Sequence, residues 1–125
     1  MASKYQFITE LYNNTLLKVT SSHERWTGFL RAACYNYKCS FDEQILIYAQ
    51  RPNATAVLEL ENWNRRFGRW VNRGATGIAV FDDAHGKGRL KYYFDVKDTH
   101  ADLRSRPVPI WQMETAFEES VIETL

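Results

Sequence analysis

The sequence predicts an α+β fold in which N-terminal helices pack on a small antiparallel β-sheet, with a C-terminal helix. Apolar residues recur at intervals of three and four through the first half of the chain, which is the period of helices. Beyond Gly68 they alternate in twos, which is the period of strands. The 125 residues, 45% of them hydrophobic, are enough for one core. We therefore expect residues 1–125 to form a single domain, excised from a longer polypeptide.

Three helices are expected before Pro52. The first covers Lys4–Val19, where the apolar residues share one helical face. The serines at positions 21 and 22 offer a side-chain cap to the second helix. Ser40 and Glu43 form a capping-box pattern at the start of the third, and Pro52 ends it because proline disfavours helical geometry in the residue before it.

The rest of the chain is predicted to alternate between short elements. Residues 58–67 are expected to form a helix that ends at Gly68. The apolar run Ile78–Phe81 and the alternating segment Arg89–Val96 predict two strands joined by a hairpin loop. A last, acidic helix is expected over Ile110–Leu125.

Basic and acidic side chains are segregated along the chain, although its net charge is only +1. Residues 64–91 have seven basic and two acidic side chains, a net charge of +5, whereas residues 92–125 have three and seven, a net charge of −4. The near-neutral total excludes a uniformly basic nucleic-acid coat protein. The two cysteines and the absence of a membrane-length apolar run predict a cytoplasmic protein with no membrane partner.

No catalytic or metal-binding motif is present. His23, His85 and His100 are scattered singly, and neither Cys-x-x-Cys nor His-Glu-x-x-His spacing occurs. The glycines at 74–77 and 86–88 match no phosphate-loop pattern and are interpreted as turn residues. We expect no metal, no cofactor and no enzymatic activity in this domain. A small hydrolase or transferase stays open only if distant Asp, His and Cys residues gather in one pocket.

The segment 63–73 interleaves guanidinium groups with aromatic rings, a pattern typical of single-strand binding, because rings stack on bases and arginines form forked hydrogen bonds to phosphates. Seven basic residues are expected to contact phosphates: Arg65, Arg66, Arg69, Arg73, Lys87, Arg89 and Lys91. Trp70 and Tyr93 are expected to stack on bases. Gln50 and Arg51 are secondary candidates for polar contacts.

Strand alternation supplies the platform for this stacking. It places Arg89, Lys91 and Tyr93 on one face of the predicted strand, and Trp70 extends that face if Val71 points inward. Two alternatives stay open from the sequence. Trp70 and Tyr93 are expected equally in the core or on an exposed platform. The arginines are explained equally well as a solvated face or as ion-pair partners of the acidic last helix.

Four segments, taken in order, resemble the N-terminal domain of ArdC-type antirestriction proteins. A closer likeness is to the leading segment of large helicase and methylase polyproteins of Gram-positive conjugative elements. The segments are Trp26-x-x-Phe29-Leu30, the run SFDEQILIYAQRPNAT at 40–55, Trp63 with Gly68-Arg69-x-Val71-x-x-Gly74-x-x-Gly77-Ile78, and Tyr93-Phe94-Asp95-Val96-x-Asp98-Thr99.

The resemblance implies a helicase-associated, single-stranded DNA-binding domain ahead of a separate enzymatic region, used in plasmid or transposon transfer. It carries no catalytic role to this chain, because the metalloprotease-like helix of the ArdC proteins is absent from it. At Asp98 the chain departs from the glutamine common in that family. The residues that match by motif are Gln44, Gln50, Arg51, Thr55, Arg69, Val71, Gly74 and Gly77.

Together these observations predict a non-catalytic accessory domain that binds single-stranded DNA without strong sequence preference. The C-terminal enzymatic domains of the same polypeptide are expected as further partners. The alternative is a protein-interaction module that docks a larger helicase or methylase onto an acidic surface.

Overall fold

The computed structural model describes residues 3–82, 84 and 88–108, and over these residues the fold is α+β, as predicted. It has four α-helices and two small antiparallel sheets. The helices are α1 (Lys4–Val19), α2 (His23–Ala33), α3 (Phe41–Gln50) and α4 (Leu60–Phe67). The strands are β1 (Val57–Glu59), β2 (Trp70–Val71), β3 (Ile78–Phe81), β4 (Leu90–Asp95) and β5 (Thr99–His100). The C-terminal helix expected over residues 110–125 lies outside the described residues.

Local side-chain caps set the helix starts, as the sequence predicts. The Ser22 hydroxyl accepts from the backbone N–H of Arg25 at 3.1 Å at the start of α2. Ser40 and Glu43 form the reciprocal capping box of α3. Because these groups satisfy backbone donors that a helix leaves unpaired, the starts of α2 and α3 are determined within a few residues of sequence.

The expected helix over 58–67 is shorter in the structure, and this part of the prediction is wrong. Val57–Glu59 is instead the strand β1, antiparallel to β4, with Leu58 opposite Phe94. Pairing with a distant strand overrides the local helical pattern there. The end of the helix is as expected: Gly68 has φ +62°, a left-handed conformation that glycine adopts without steric penalty.

Strand β4 is the centre of the larger sheet, whose order is β1-β4-β3. The expected pair β3 and β4 is confirmed, with Ile78 opposite Tyr93. A second, two-stranded sheet joins β2 to β5, with Trp70 opposite His100. Strand β5 was not predicted, because two residues are too few to show an alternating pattern.

The core has three parts, and they divide the molecule into two sides. Ile8, Leu46 and Val80 belong to a cluster that joins α1 and α3 to the larger sheet. Val19, Phe29 and Ile45 join the three N-terminal helices. The third cluster, around Ala56, Trp63 and Phe67, also contacts Val71, Phe94 and Val96. It therefore holds α4 and β2 against the sheet as a separate side of the domain.

Two aromatic residues at helix boundaries in the N-terminal half are about half exposed. Tyr37 is 46% exposed because it follows the 3-10 turn Cys34–Asn36, where the helical period of α2 has ended. Phe41 is 48% exposed because it is the first residue of α3. It contacts Phe29 edge-on, with ring centroids 6.0 Å apart.

Candidate nucleic-acid interface

The predicted stacking platform on β4 is covered by α3. The half-buried Tyr93 donates a hydrogen bond from its hydroxyl to a carboxylate oxygen of Glu43, a residue of α3. Lys91 lies on the same face, with its Nζ 3.4 Å from Glu43 and 5.4 Å from the centre of the Tyr93 ring. The open face expected for Tyr93 and Lys91 is therefore corrected to a contact between sheet and helix.

Burial and hydrogen bonding tune the titration of this contact. Burial raises the pKa of Tyr93, and the hydrogen bond to Glu43 raises it further. Burial also acts to raise the pKa of Glu43, but hydrogen bonds from Tyr93 and Ser40 and the Lys91 ammonium outweigh it, so that this pKa is lowered. Burial, followed by the charge of Glu43, raises the pKa of Cys39 to about 12. At neutral pH the contact thus holds a neutral phenol, a carboxylate and a protonated thiol.

Gln50, for which the sequence predicts a ligand contact, bonds to the edge of β3 within the fold. Its Nε2 donates to the backbone carbonyl of Ala79 at 2.9 Å, and its Oε1 accepts from the Ala79 N–H at 2.9 Å. Because β3 is an edge strand, these backbone groups have no strand partner on that side. Gln50 therefore takes the place of a neighbouring strand.

Two of the expected cationic contacts are used within the fold. Arg51 forms an ion pair with Asp98, the position at which the chain departs from the ArdC pattern. Arg69 donates from Nε to the Thr99 hydroxyl at 2.8 Å and from Nη2 to the Thr99 carbonyl at 3.1 Å, which ties β2 to β5. Both guanidinium groups are thus engaged within the fold, and the expectation that they contact nucleic acid stays a prediction.

Four other arginines that were expected to contact phosphates are exposed to solvent. Arg65 and Arg66 on α4 and Arg73 after β2 are exposed, as is Arg89 before β4. Arg65 donates to the side-chain oxygen of Asn62 at 3.0 Å, and Arg66 lies 5.7 Å from the centre of the Phe67 ring. The remaining candidate, Lys87, lies outside the described residues.

Two further arginines join this surface from residues 104–108, a proline-bearing connector after β5 in which no site residue was expected. The backbone N–H of Arg106 donates to the carbonyl of Phe67 at 2.9 Å, and Ser105 donates to the carbonyl of Gly68 at 2.9 Å. The connector therefore runs along the end of α4. We call the four exposed residues Arg65, Arg66, Arg104 and Arg106 the arginine cluster.

The only sequence signal for the second pair was the local Arg-Ser-Arg-Pro run at 104–107, which the acidic balance of residues 92–125 obscured. Over the described residues no guanidinium group of the arginine cluster lies within ion-pair distance of a carboxylate, although Asp102 accepts from the backbone N–H of Arg104 at 2.8 Å and interacts with its charge. The side chains of the cluster are exposed.

Trp70 extends this surface with an aromatic ring. Its side chain is 49% exposed, whereas Val71 packs inward against the cluster around Trp63, as strand alternation predicts. The indole N–H donates to Asp102 at 3.1 Å. This bond, followed by the backbone N–H of Arg104, lowers the pKa of Asp102. Trp70 is thus anchored through its nitrogen while half of its surface stays open.

Other chemical features are few over the described residues. Cys34 and Cys39 are not joined by a disulfide. Within residues 3–82, 84 and 88–108, no three His, Cys, Asp or Glu side chains come together as metal ligands. In the same ranges no helix has the length and apolar character needed to cross a bilayer.

Comparison with known proteins gives no relative: neither a family model, nor a curated protein, nor a solved structure matches the chain.

Proposed function

We propose that this domain binds single-stranded DNA, without catalysis of its own, as an accessory part of a longer protein of a mobile element. The observation that carries the proposal is the arginine cluster, exposed and forming no ion pair among the described residues, beside the half-exposed ring of Trp70. The resemblance to ArdC-type domains supplies the biological setting.

The chemistry of this surface suits an unpaired strand. Guanidinium groups donate forked, charge-assisted hydrogen bonds to phosphate oxygens. An exposed indole offers a stacking face to any base, and stacking on an aromatic side chain contributes about 1–3 kcal/mol per base. A duplex keeps its bases stacked inside, so it gains only the phosphate contacts. The single strand is therefore the preferred ligand.

The test is a fluorescence anisotropy titration with a labelled single-stranded oligonucleotide at about 50 mM and about 200 mM salt. Four phosphate contacts on a single strand predict a slope of about −3 in the plot of log affinity against log salt. Unlabelled duplex of the same sequence should compete less well than the single strand. Absence of binding at low salt, or binding that does not change with salt, removes the proposal.

A pair of double variants locates the surface. Arg66→Glu with Arg106→Glu reverses two charges of the arginine cluster and should abolish measurable binding. Lys18→Glu with Arg25→Glu makes the same change in net charge at exposed positions of α1 and α2 and should leave most of the affinity intact. An equal loss in both variants would mean that net charge, and not this surface, governs binding.

The second candidate is a docking module for an acidic protein surface. It is favoured by the half-exposed ring of Trp70 beside the arginine cluster, because aromatic residues and arginine are enriched in protein contacts. A docking module predicts no preference between the single strand and the duplex. The competition experiment above therefore separates the two functions.

A further inference from the structure

A pocket of about 220 Å³ opens beside the arginine cluster, between the turn after α2, strand β1 and helix α4. Its walls include the rings of Tyr35 and Tyr93, the amide of Asn62 and the side chains of Lys38 and Arg66. They also include two carboxylates, Glu59 and Glu43, of which Glu43 already accepts from the Tyr93 hydroxyl. All the lining residues lie within the described part of the chain.

The size of the pocket restricts its occupant. Pockets that enclose drug-sized ligands span about 300–1,000 Å³. A volume of about 220 Å³ therefore suits a fragment such as a single pyrimidine ring, and it is too small to enclose a whole nucleotide with its sugar and phosphate. The phosphate of such a ligand would have to remain outside.

The polar groups of the pocket supply both acceptors and donors. Glu59 occupies the N-cap position of α4, but its side chain makes no hydrogen bond to the first turn of the helix. Its carboxylate is therefore an acceptor that the cap does not use. Asn62 accepts from Arg65 through Oδ1 at 3.0 Å, which directs its Nδ2 amino group to act as a donor.

Arg66 connects the pocket to the proposed strand-binding surface. It lines the pocket, and it also belongs to the arginine cluster around the end of α4. A strand whose phosphates contact that cluster therefore passes the mouth of the pocket. One base turned out of the stack would enter beside Tyr35, with its phosphate left at Arg66.

We propose that the pocket receives one unstacked cytosine of the single strand. This inference rests on the proposed function. Cytosine presents an exocyclic amino group that donates to a carboxylate, together with ring acceptors for an amide N–H, which match Glu59 and Asn62. Thymine presents a carbonyl where cytosine has its amino group, so its oxygen would face the carboxylate. The pocket therefore gives the domain a preference for cytosine over thymine.

The experiment measures the affinities of three proteins for labelled oligo-dC and oligo-dT of equal length, at low salt and slightly alkaline pH. The wild type should bind oligo-dC about tenfold more tightly than oligo-dT. Glu59→Gln should reduce this ratio to near one, since the amide offers thymine a donor. Glu61→Gln makes the same charge change at an exposed position of α4 outside the pocket and should keep the ratio.

The comparison between variants cancels differences in stacking and flexibility between the two homopolymers, because every variant meets the same pair of strands. Binding of both strands with equal affinity by the wild type would overturn the pocket inference and leave the proposed function standing. A preference for oligo-dC that persists in Glu59→Gln would also overturn the pocket inference and leave the proposed function standing. Failure of both strands to bind would overturn the proposed function itself.

Discussion

This domain has two sides: on the α3 side, α3 covers the larger sheet, and the α4 side is formed by α4, β2 and the connector. The two sides contain the same kinds of residues and use them in opposite ways. On the α3 side, Gln50 bonds the edge of β3, and Tyr93 and Lys91 both contact Glu43. On the α4 side, the arginine cluster and the ring of Trp70 face solvent. Side-chain type alone therefore does not distinguish a structural residue from a binding residue.

Burial accounts for the difference. A polar group between packed elements loses its water and has to find a partner in the protein, so the groups between α3 and the sheet are paired with each other. The outward positions of α4 and the connector keep their water, and no packing requirement assigns them a partner. Side chains at these outward positions are therefore available to a ligand.

The two tryptophans of the α4 side offer the strongest test of this contrast. Trp63 is fully buried and donates to the Phe94 carbonyl at 2.8 Å, whereas Trp70 is 49% exposed. Trp63→Ala should lower the free energy of unfolding by about 3–5 kcal/mol, because it leaves a large cavity. Trp70→Ala should lower it by less than about 1 kcal/mol but weaken oligonucleotide binding at least fivefold, since stacking contributes about 1–3 kcal/mol.

Urea denaturation measures the first effect, and anisotropy titration with a single-stranded oligonucleotide measures the second. The contrast fails if Trp70→Ala proves as destabilising as Trp63→Ala. It also fails if Trp70→Ala binds the strand as tightly as the wild type does.

Gln50 is the next test, because the sequence predicts that it contacts the ligand. Gln50→Ala should lower the free energy of unfolding by about 2 kcal/mol, since it leaves the buried N–H and C=O of Ala79 without their partners. Affinity for the oligonucleotide should not change. Asn14→Ala removes an amide from an exposed position of α1 and should alter stability by no more than about 0.5 kcal/mol. Weakened binding in folded Gln50→Ala would restore the original assignment.

Local chemistry explains which parts of the fold could be predicted. The Ser40 capping box and the left-handed Gly68 are decided by a few neighbouring residues, and both were found from the sequence. Strand β1 was missed because Leu58 pairs with Phe94, which is distant in the chain. No local pattern contains that information.

The same reasoning divides the candidate site. For Trp70 the sequence left core and surface equally open, because alternation places it outward only if Val71 packs inward, and the packing of Val71 depends on Trp63, a residue of α4. Tyr93 could not be assigned, because the group that covers it, Glu43, belongs to a separate helix. Arg104 and Arg106 were missed because the path of their connector depends on a backbone hydrogen bond to Phe67.

The contact between Glu43 and Tyr93 should give the α3 side a pH dependence. The pKa of Glu43 is lowered in the folded protein from its ordinary value of 4.5. Its contribution to stability is therefore complete above pH 4.5 and is lost as the pH falls through the lowered folded pKa. Glu43→Gln should reduce the free energy of unfolding by about 1–2 kcal/mol at neutral pH, and this deficit should shrink in acid.

Urea denaturation at a series of pH values measures this deficit. Tyr93→Phe is the matching variant, because it removes a hydrogen bond that lowers the pKa of Glu43. The loss in free energy of unfolding that it causes should therefore also shrink in acid. A deficit that stays constant from neutral to strongly acidic pH would show that Glu43 acts through packing rather than charge.

The smallest effect is expected from single arginines, and it compares the two sides directly. Arg51→Ala and Arg66→Ala each remove one positive charge, but Arg51 is ion-paired with Asp98, whereas Arg66 is exposed in the arginine cluster. Arg66→Ala should reduce the slope of log affinity against log salt by about 0.7 and leave stability unchanged. Arg51→Ala should leave that slope unchanged and reduce stability by no more than about 1 kcal/mol, because the pair is partly exposed. The two variants have the same net charge. Equal changes in their salt slopes would therefore mean that binding depends on the charge of the whole domain, and not on which of the two sides has lost an arginine.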